Sequence, residues 1–134
     1  MKRTRLKARS PRHRKANDAA AKARAKYLLD FPFCAICAVE SETIESLCGK
    51  LRHASQATEI HHLCGRNAKC KDAKKYECPQ NYLPLCRDCH QWVTDESRFS
   101  AWMCWCAKRF IDPATADLGY LRRTKPTRFG KVQP

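Results

Sequence analysis

Two Cys-x-x-Cys pairs do most to limit the folds open to this 134-residue chain. The first pair is Cys34 and Cys37, and the second is Cys86 and Cys89. Four thiols in this pattern are typical of a tetrahedral zinc site, whose metal ion stabilises a domain with a small core. The 48 residues between the pairs exceed the usual gap of zinc ribbons and fit an inserted β-hairpin and loop. The sequence therefore predicts one small domain built around a structural zinc ion.

The remaining cysteines have to be interpreted together with the compartment. No signal segment opens the chain, and no apolar run reaches membrane-spanning length. We therefore expect a cytoplasmic protein with no membrane partner, whose paired cysteines bind zinc rather than form disulfides. Four further cysteines could replace a zinc ligand, form a second site with His53, or be free thiols. They are Cys48, Cys64, Cys70 and Cys78.

Positive charge is concentrated at the two ends of the chain. Residues 1–30 carry eleven Lys and Arg against two acidic residues, and residues 118–134 carry five against none. Residues 31–117 carry eleven of each sign, so the net charge of +14 lies entirely in the ends. Because neutralised phosphates release counterions, basic ends on a neutral body favour a nucleic-acid partner.

Helices are predicted on both sides of the neutral segment. Alanine-rich residues 19–29, capped by Asn17 or Asp18 and ended before Pro32, should form a weakly packed helical arm. A second helix is predicted from the candidate caps Asp95 and Ser97 to a point before Pro113, and its apolar stripe should face the core. The stripe comprises Phe99, Met103, Cys106 and Phe110, widened by Trp102.

Short segments between the two cysteine pairs predict a hairpin. Alternation over Glu59–Leu63 indicates a strand with His61 on one face and His62 on the other. Residues 64–80 form a lysine-rich loop, 81–85 a return strand, and 86–94 a turn that enters a helix. Residues 41–48 are predicted to form a short helix that ends at Gly49, and no pattern is expected after Leu118.

The two histidines, Asn81, and the Cys-x-x-Cys that runs directly into His90 together resemble the motif of HNH endonucleases. The phrases Ile-His-His-Leu-Cys-Gly-Arg at 60–66 and Leu-Cys-Arg-Asp-Cys-His-Gln-Trp-Val at 85–93 are similar to small phage-type members. The resemblance covers about residues 33–95, with 38–57 as an insertion. It implies an α+β fold with a zinc-stapled ββα-metal, treble-clef-like core, flanking helices and basic tails.

The resemblance also implies roles for individual residues. His62 corresponds to the general base, and His61 and His90 to ligands of one catalytic divalent cation such as Mg²⁺ or Mn²⁺. Asn81 corresponds to the residue that holds the hairpin and orients the base. The implied activity is hydrolysis of DNA, duplex or branched, in the host cytoplasm if a phage encodes the chain, with a recombination or packaging partner left open.

The implied division is a basic arm at 1–30, a nuclease core with its C-terminal helix at 31–112, and a basic tail at 113–134. Cations of the long loop are candidate DNA contacts, although a solvated charged loop is an equal alternative. They are Arg66, Lys69, Lys71, Lys74 and Lys75.

Two further functions compete with the nuclease. One is a zinc-dependent nucleic-acid-binding module without chemistry, and the other is an RNA-binding protein of the ribosomal kind. Neither function requires His62, Asn81 and His90 together, which is why the sequence favours the enzyme.

Overall fold

The computed structural model describes residues 11–39, 55–65, 73–95 and 97–133, and it combines helices with a two-stranded sheet in an α+β fold. Besides a helical turn at 35–39 and a 3-10 turn at Pro79–Asn81, we number the elements in chain order. They are α1 (Pro11–Asp30), β1 (Glu59–His62), α2 (Ala73–Tyr76), β2 (Tyr82–Leu85), α3 (Arg87–Asp95), α4 (Ser97–Ile111), α5 (Leu118–Thr124) and α6 (Pro126–Phe129).

The predicted hairpin is confirmed, and it organises the fold. Strands β1 and β2 pair antiparallel, with His61 opposite Leu83 and His62 opposite Tyr82. All four residues of β2 are buried, whereas those of β1 are half-buried. Helix α3 follows β2 directly and contacts β1, so two strands and a helix form the centre of the fold. Asn81, expected to begin the return strand, ends the 3-10 turn instead.

Helix α4 occupies the predicted position, but the prediction of its buried face is correct only in part, since Met103 packs half-buried against the core. Trp102 and Phe110 are 48% and 46% exposed, and the side chain of Phe99 lies outside the described residues. The buried side chains are Ala101, Cys104, Trp105, Ala107 and Lys108. Both sets recur at helical spacing. The set with small residues is the buried one, because small side chains allow the helix to approach the hairpin closely.

The expectation of a patternless chain after Leu118 is also wrong. Asp117 caps α5 by accepting a hydrogen bond from the amide of Tyr120 at 2.9 Å. Pro126 begins α6, where its missing N–H does no harm. Leu121, Phe129 and Val132 are buried in the core. These three apolar residues are too few to produce a period, and only packing against the rest of the core reveals them.

Helix α1 begins at Pro11, ahead of the expected caps, and its last turns pack more firmly than predicted. Tyr27 is 5% exposed, and its hydroxyl donates to Oδ2 of Asp112 at 2.9 Å. Lys108 is fully buried, and its Nζ donates to the hydroxyl of Tyr27 and to Oδ2 of Asp112, each at 2.9 Å. The charged end of this lysine also donates to the carbonyl oxygen of Tyr82 in β2 at 3.0 Å. A buried ion pair of this kind persists only when hydrogen bonds satisfy it, so α1, α4 and β2 are tied together here.

Several predictions fall outside the described residues. They concern the helix at 41–48 with Gly49, most of the insertion at 38–57, Cys48, His53 and Cys70. No helix in the described ranges has the length and apolar character needed to cross a membrane.

Candidate functional site

The four predicted zinc ligands come together. The sulfur atoms of Cys34, Cys37, Cys86 and Cys89 all lie within 4.8 Å of one another. Cys37 Sγ is 3.9 Å from Cys86 Sγ and 3.6 Å from Cys89 Sγ. Sulfurs about 2.3 Å from a tetrahedral zinc ion are separated by about 3.8 Å, whereas a disulfide requires about 2.05 Å. The set therefore has the geometry of a metal site rather than of disulfides.

Local structure explains how the two pairs converge. Cys34 stands just before the helical turn at 35–39, and its amide donates to the carbonyl oxygen of Ser55 at 2.8 Å. Cys86 stands just before α3, and its carbonyl oxygen accepts from the amide of His90 at 3.0 Å. Each pair thus occupies the first turn of a helix, with the hairpin between them.

The closeness of the four thiols affects their pKa values in opposite directions. A hydrogen bond from Cys89, reinforced by the amides of Cys37 and Cys86, lowers the pKa of Cys34 to about 5. The negative Cys34 in turn raises the pKa of Cys89, and burial raises it further. Four sulfurs this close cannot all ionise without a cation, because the charges repel one another in a desolvated place. The donor set could therefore hold a metal such as zinc.

One face of β1 carries His61, a half-buried residue. Its Nε2 atom is buried and has no hydrogen-bond partner among the described residues. Burial, with the positive charge of Arg128 as the next cause, lowers the pKa of His61 to about 3. The ring therefore stays neutral, and it meets the ring of His90 edge-on with the centroids 5.3 Å apart. Burying a ring nitrogen without a hydrogen-bond partner costs free energy, unless a bound ligand such as a metal ion contacts that nitrogen.

His90 is oriented by a residue that the sequence analysis missed. Oε2 of Glu59 lies 2.6 Å from Nδ1 of His90. An ionised carboxylate only accepts hydrogen bonds, so this contact favours a proton on Nδ1 and a lone pair on Nε2. Glu59 precedes His61 by two positions and shares its face of β1, and that spacing was the available signal. In the described ranges only the cysteines form a convergent group of three or more metal-binding side chains.

The opposite face of β1 carries His62 in a different environment. Its Nε2 lies 3.1 Å from Oε1 of Glu77, and its ring meets Tyr82 edge-on at 5.5 Å. Glu77 also accepts from the hydroxyl of Tyr82 at 2.7 Å and from Nη1 of Arg24 at 3.0 Å. Nothing in the sequence pattern singled out Glu77 or Arg24, because the contact joins residues far apart in the chain.

Asn81 is fully buried and ties the two strands together. Its Oδ1 accepts from the amide of Cys64 at 2.7 Å, and its Nδ2 donates to the carbonyl oxygen of Tyr76 at 2.8 Å. Its own carbonyl oxygen accepts from the amide of Leu63 at 2.8 Å. These contacts agree with a role in holding the hairpin, whereas orientation of the base stays a prediction.

The structure describes only some of the loop cations proposed to contact DNA. Lys75 is exposed, with its ammonium 5.9 Å from the ring centroid of Tyr76. Lys74 belongs to α2 but its side chain is not described, and Arg66, Lys69 and Lys71 lie outside the described residues.

Arg128 is a further basic residue near the histidines, in a segment expected to be a tail. Its Nη2 donates to Oγ of Ser100 at 3.1 Å. Its Nε is buried without a hydrogen-bond partner in the part of the chain that the structure describes. Because its charge helps to lower the pKa of His61, Arg128 belongs to the same neighbourhood.

The described residues thus divide into a cysteine cluster and a strand with two chemically different histidine faces. Comparisons with known protein families, with curated proteins and with solved structures found no match for this chain.

Proposed function

We propose that this chain is an HNH-type, metal-dependent DNA endonuclease with a zinc-stapled ββα-metal core. The observation that carries the proposal is the different surroundings of the two adjacent histidines on β1. His61 faces His90 with a ring nitrogen that has no hydrogen-bond partner in the described part of the chain, whereas His62 is hydrogen-bonded to the carboxylate of Glu77. A module that only binds nucleic acid has no need of this division.

The cysteines would hold the structural ion. Cys34, Cys37, Cys86 and Cys89 suit zinc because the sulfur separations match a tetrahedral thiolate site. Zinc bound there would fix the start of α3, and with it the position of His90.

His61 and His90 would hold the catalytic divalent cation, which when bound stabilises charge on the phosphate and on the leaving oxygen. The unpartnered Nε2 of His61 supports this assignment. The carboxylate of Glu59 supports this assignment further. Because it contacts Nδ1 of His90, the lone pair of Nε2 is the one that can bind the cation. Imidazole nitrogens suit Ni²⁺ and Zn²⁺ better than Mg²⁺, so a metal series has to include all of these and Mn²⁺.

His62 would act as the general base that removes a proton from the attacking water. Imidazole is suited to this task because its pKa is near neutrality. Arg128 would contact the scissile phosphate, since its partly unpaired guanidinium lies in the neighbourhood of His61.

DNA is the proposed substrate, because exposed cations lie on several elements. Lys15 and Lys26 of α1 are exposed, as are Arg123 and Lys131 near the C-terminus. Contacts between such side chains and phosphates position a protein on DNA without reading sequence. We therefore expect weak sequence preference.

The test is incubation of purified, zinc-loaded protein with supercoiled plasmid and Mg²⁺, Mn²⁺, Ni²⁺ or Zn²⁺ in turn. We expect nicked or linear plasmid with at least one metal and none with EDTA. The second candidate, a non-catalytic zinc-dependent nucleic-acid-binding module, is favoured by the cysteine cluster and the exposed lysines alone. It would replace the first if the protein bound plasmid but cut it with none of the metals.

A further inference from the structure

Glu77 lies where three parts of the fold meet. It follows α2, and its carboxylate contacts His62 of β1, Tyr82 of β2 and Arg24 of α1 at 3.1, 2.7 and 3.0 Å. The side chains of Glu77 and His62 are only 11% and 12% exposed. Contacts so well shielded from water are stronger than surface ion pairs.

The charge state of Glu77 determines whether the ring nitrogen of His62 that faces it carries a proton. Burial alone would raise the pKa of Glu77, but hydrogen bonds from the hydroxyl of Tyr82 and from the ring of His62, together with the positive charge of Arg24, lower it below its usual range. Glu77 is therefore a carboxylate and can only accept hydrogen bonds. The nitrogen that faces it, Nε2 of His62, must accordingly carry the proton.

We propose, on the basis of the proposed function, that Glu77 is the positioning residue of the base His62 and that Arg24 aligns Glu77. With Nε2–H held by Glu77, Nδ1 of His62 carries the lone pair that accepts a proton from water. The water oxygen then forms a bond to phosphorus while the phosphorus bond to the leaving ester oxygen breaks. That oxygen takes a proton from solvent, and His62 returns its own proton to solvent afterwards.

This assignment gives α1 a second role. Arg24 is 24% exposed at its side chain and joins the basic helix to the residue that orients His62. Helix α1 is held in place nearby, because Tyr27 packs edge-on against Tyr82 with ring centroids 5.4 Å apart. The helix is thus part of the catalytic unit and not only an arm that binds phosphate.

The first test uses no cleavage reaction. In ¹⁵N-edited NMR of the zinc-loaded full chain, the ring of His62 should show a proton on Nε2 that exchanges slowly with water. Glu77→Ala should abolish that protection, and Glu77→Gln, which retains an accepting oxygen, should preserve part of it. A wild-type proton on Nδ1, or an unchanged Nε2 signal in Glu77→Ala, would overturn the inference.

The second test separates positioning from binding. Glu77→Ala should lower kcat by about 10- to 100-fold, the usual effect of removing an orienting partner, with KM for DNA and zinc content unchanged. Glu77→Gln should fall between Glu77→Ala and wild type, which keeps the test valid if the alanine variant folds poorly. If Glu77→Ala cut at the wild-type rate while His62→Ala did not cut, the inference would fail and the nuclease would stand.

A matched pair on α1 tests the part assigned to Arg24. Arg24→Ala and Lys22→Ala each remove one positive charge from the same helix, and Lys22 is exposed. Lys22→Ala should weaken DNA binding the more, because the charge of Arg24 is already paired with Glu77, but only Arg24→Ala should lower kcat. Equal kcat values for the two variants would show that Arg24 contributes only to DNA binding and does not align Glu77. Failure of the wild type to cut with any metal would remove both the nuclease and this inference.

Discussion

The two faces of β1 carry the same side chain in opposite circumstances. Within the described residues Nε2 of His61 is buried without a hydrogen-bond partner and the ring is neutral, whereas Nε2 of His62 contacts the carboxylate of Glu77. Period-two alternation of the strand is sufficient to separate them, because neighbouring residues point to opposite sides. The two adjacent histidines are therefore not equivalent: in the proposed function, His61 would bind a metal ion and His62 would accept a proton.

Each face also has its own carboxylate. Glu59 holds Nδ1 of His90 beside His61, and Glu77 holds Nε2 of His62. Substitutions that affect both faces of β1, one face or neither should therefore reduce stability, cation binding or DNA affinity to different extents.

The largest effect should follow removal of the structural metal, because both faces depend on α3 and the hairpin. Chelation, or Cys89→Ser, should unfold the core, since structural zinc in small domains contributes roughly 10 kcal/mol or more. Cys106→Ser, a half-buried cysteine outside the cluster, is the matched control and should keep the fold. Metal analysis and thermal melts measure the outcome, and a metal-free chain with an intact cooperative melt would contradict it.

The next largest effect should come from the buried ion pair behind the His62 face. Asp112→Asn leaves Lys108 charged, buried and without its ionic partner, a change that typically costs about 3–5 kcal/mol of stability. Burial alone would raise the pKa of Asp112, but bonds from Thr115 and Lys108 lower it. Its stabilising contribution is therefore complete above the unfolded pKa of about 3.9 and is lost as the pH falls through the lower folded pKa.

Denaturant unfolding of wild type and Asp112→Asn across the acid range measures this effect. The difference between the two proteins should narrow as the pH falls, and Asp30→Asn, which changes an exposed acid on α1, should match wild type. A variant as stable as wild type at neutral pH would show that the pair does not hold α1 to the sheet.

A smaller and more local effect is expected on the His61 face alone. Glu59→Ala frees Nδ1 of His90 and should weaken binding of the catalytic cation by about 10- to 100-fold, while structural zinc remains. Titration of cleavage activity with Mn²⁺ measures the change. If Glu59→Ala left the metal requirement unchanged but shifted the NMR signal of His62, the separation of the two faces would be wrong.

The smallest effect on cleavage should come from removing positive charge at the start of the chain. Deletion of residues 1–10 removes five Lys and Arg and no acidic residue. Affinity for all DNA sequences should fall together and its salt dependence should become shallower, because fewer phosphates are neutralised. Binding measured over a salt series tests this, and a fall in kcat without a change in salt slope would contradict it.

What the sequence predicted well was local or carried by strict spacing. The pairs at Cys34/Cys37 and Cys86/Cys89 predicted a cluster of four cysteines that could hold a metal, and alternation around His61 and His62 predicted the strand and its faces. Both predictions rest on the spacing of residues that are close in the chain, as zinc-binding pairs and strand alternation do.

What it missed arises from tertiary packing. Glu77 reaches His62 across 15 residues and Arg24 reaches Glu77 across 53, so no local pattern marks them. Helix α4 offered two stripes, and only the surface of the hairpin decides which is buried. The helices near Leu121 and Phe129 are short, so their burial depends on the core that they cover.

The most direct test of the central claim is the single-turnover rate of plasmid cleavage by His62→Ala and wild type under the best metal. We expect the rate of His62→Ala to fall on the order of 10²–10⁴-fold, the usual contribution of a general base, with zinc content, fold and DNA affinity unchanged. Cleavage by His62→Ala at near the wild-type rate would contradict the assignment of His62 and the division of labour between the two faces of β1.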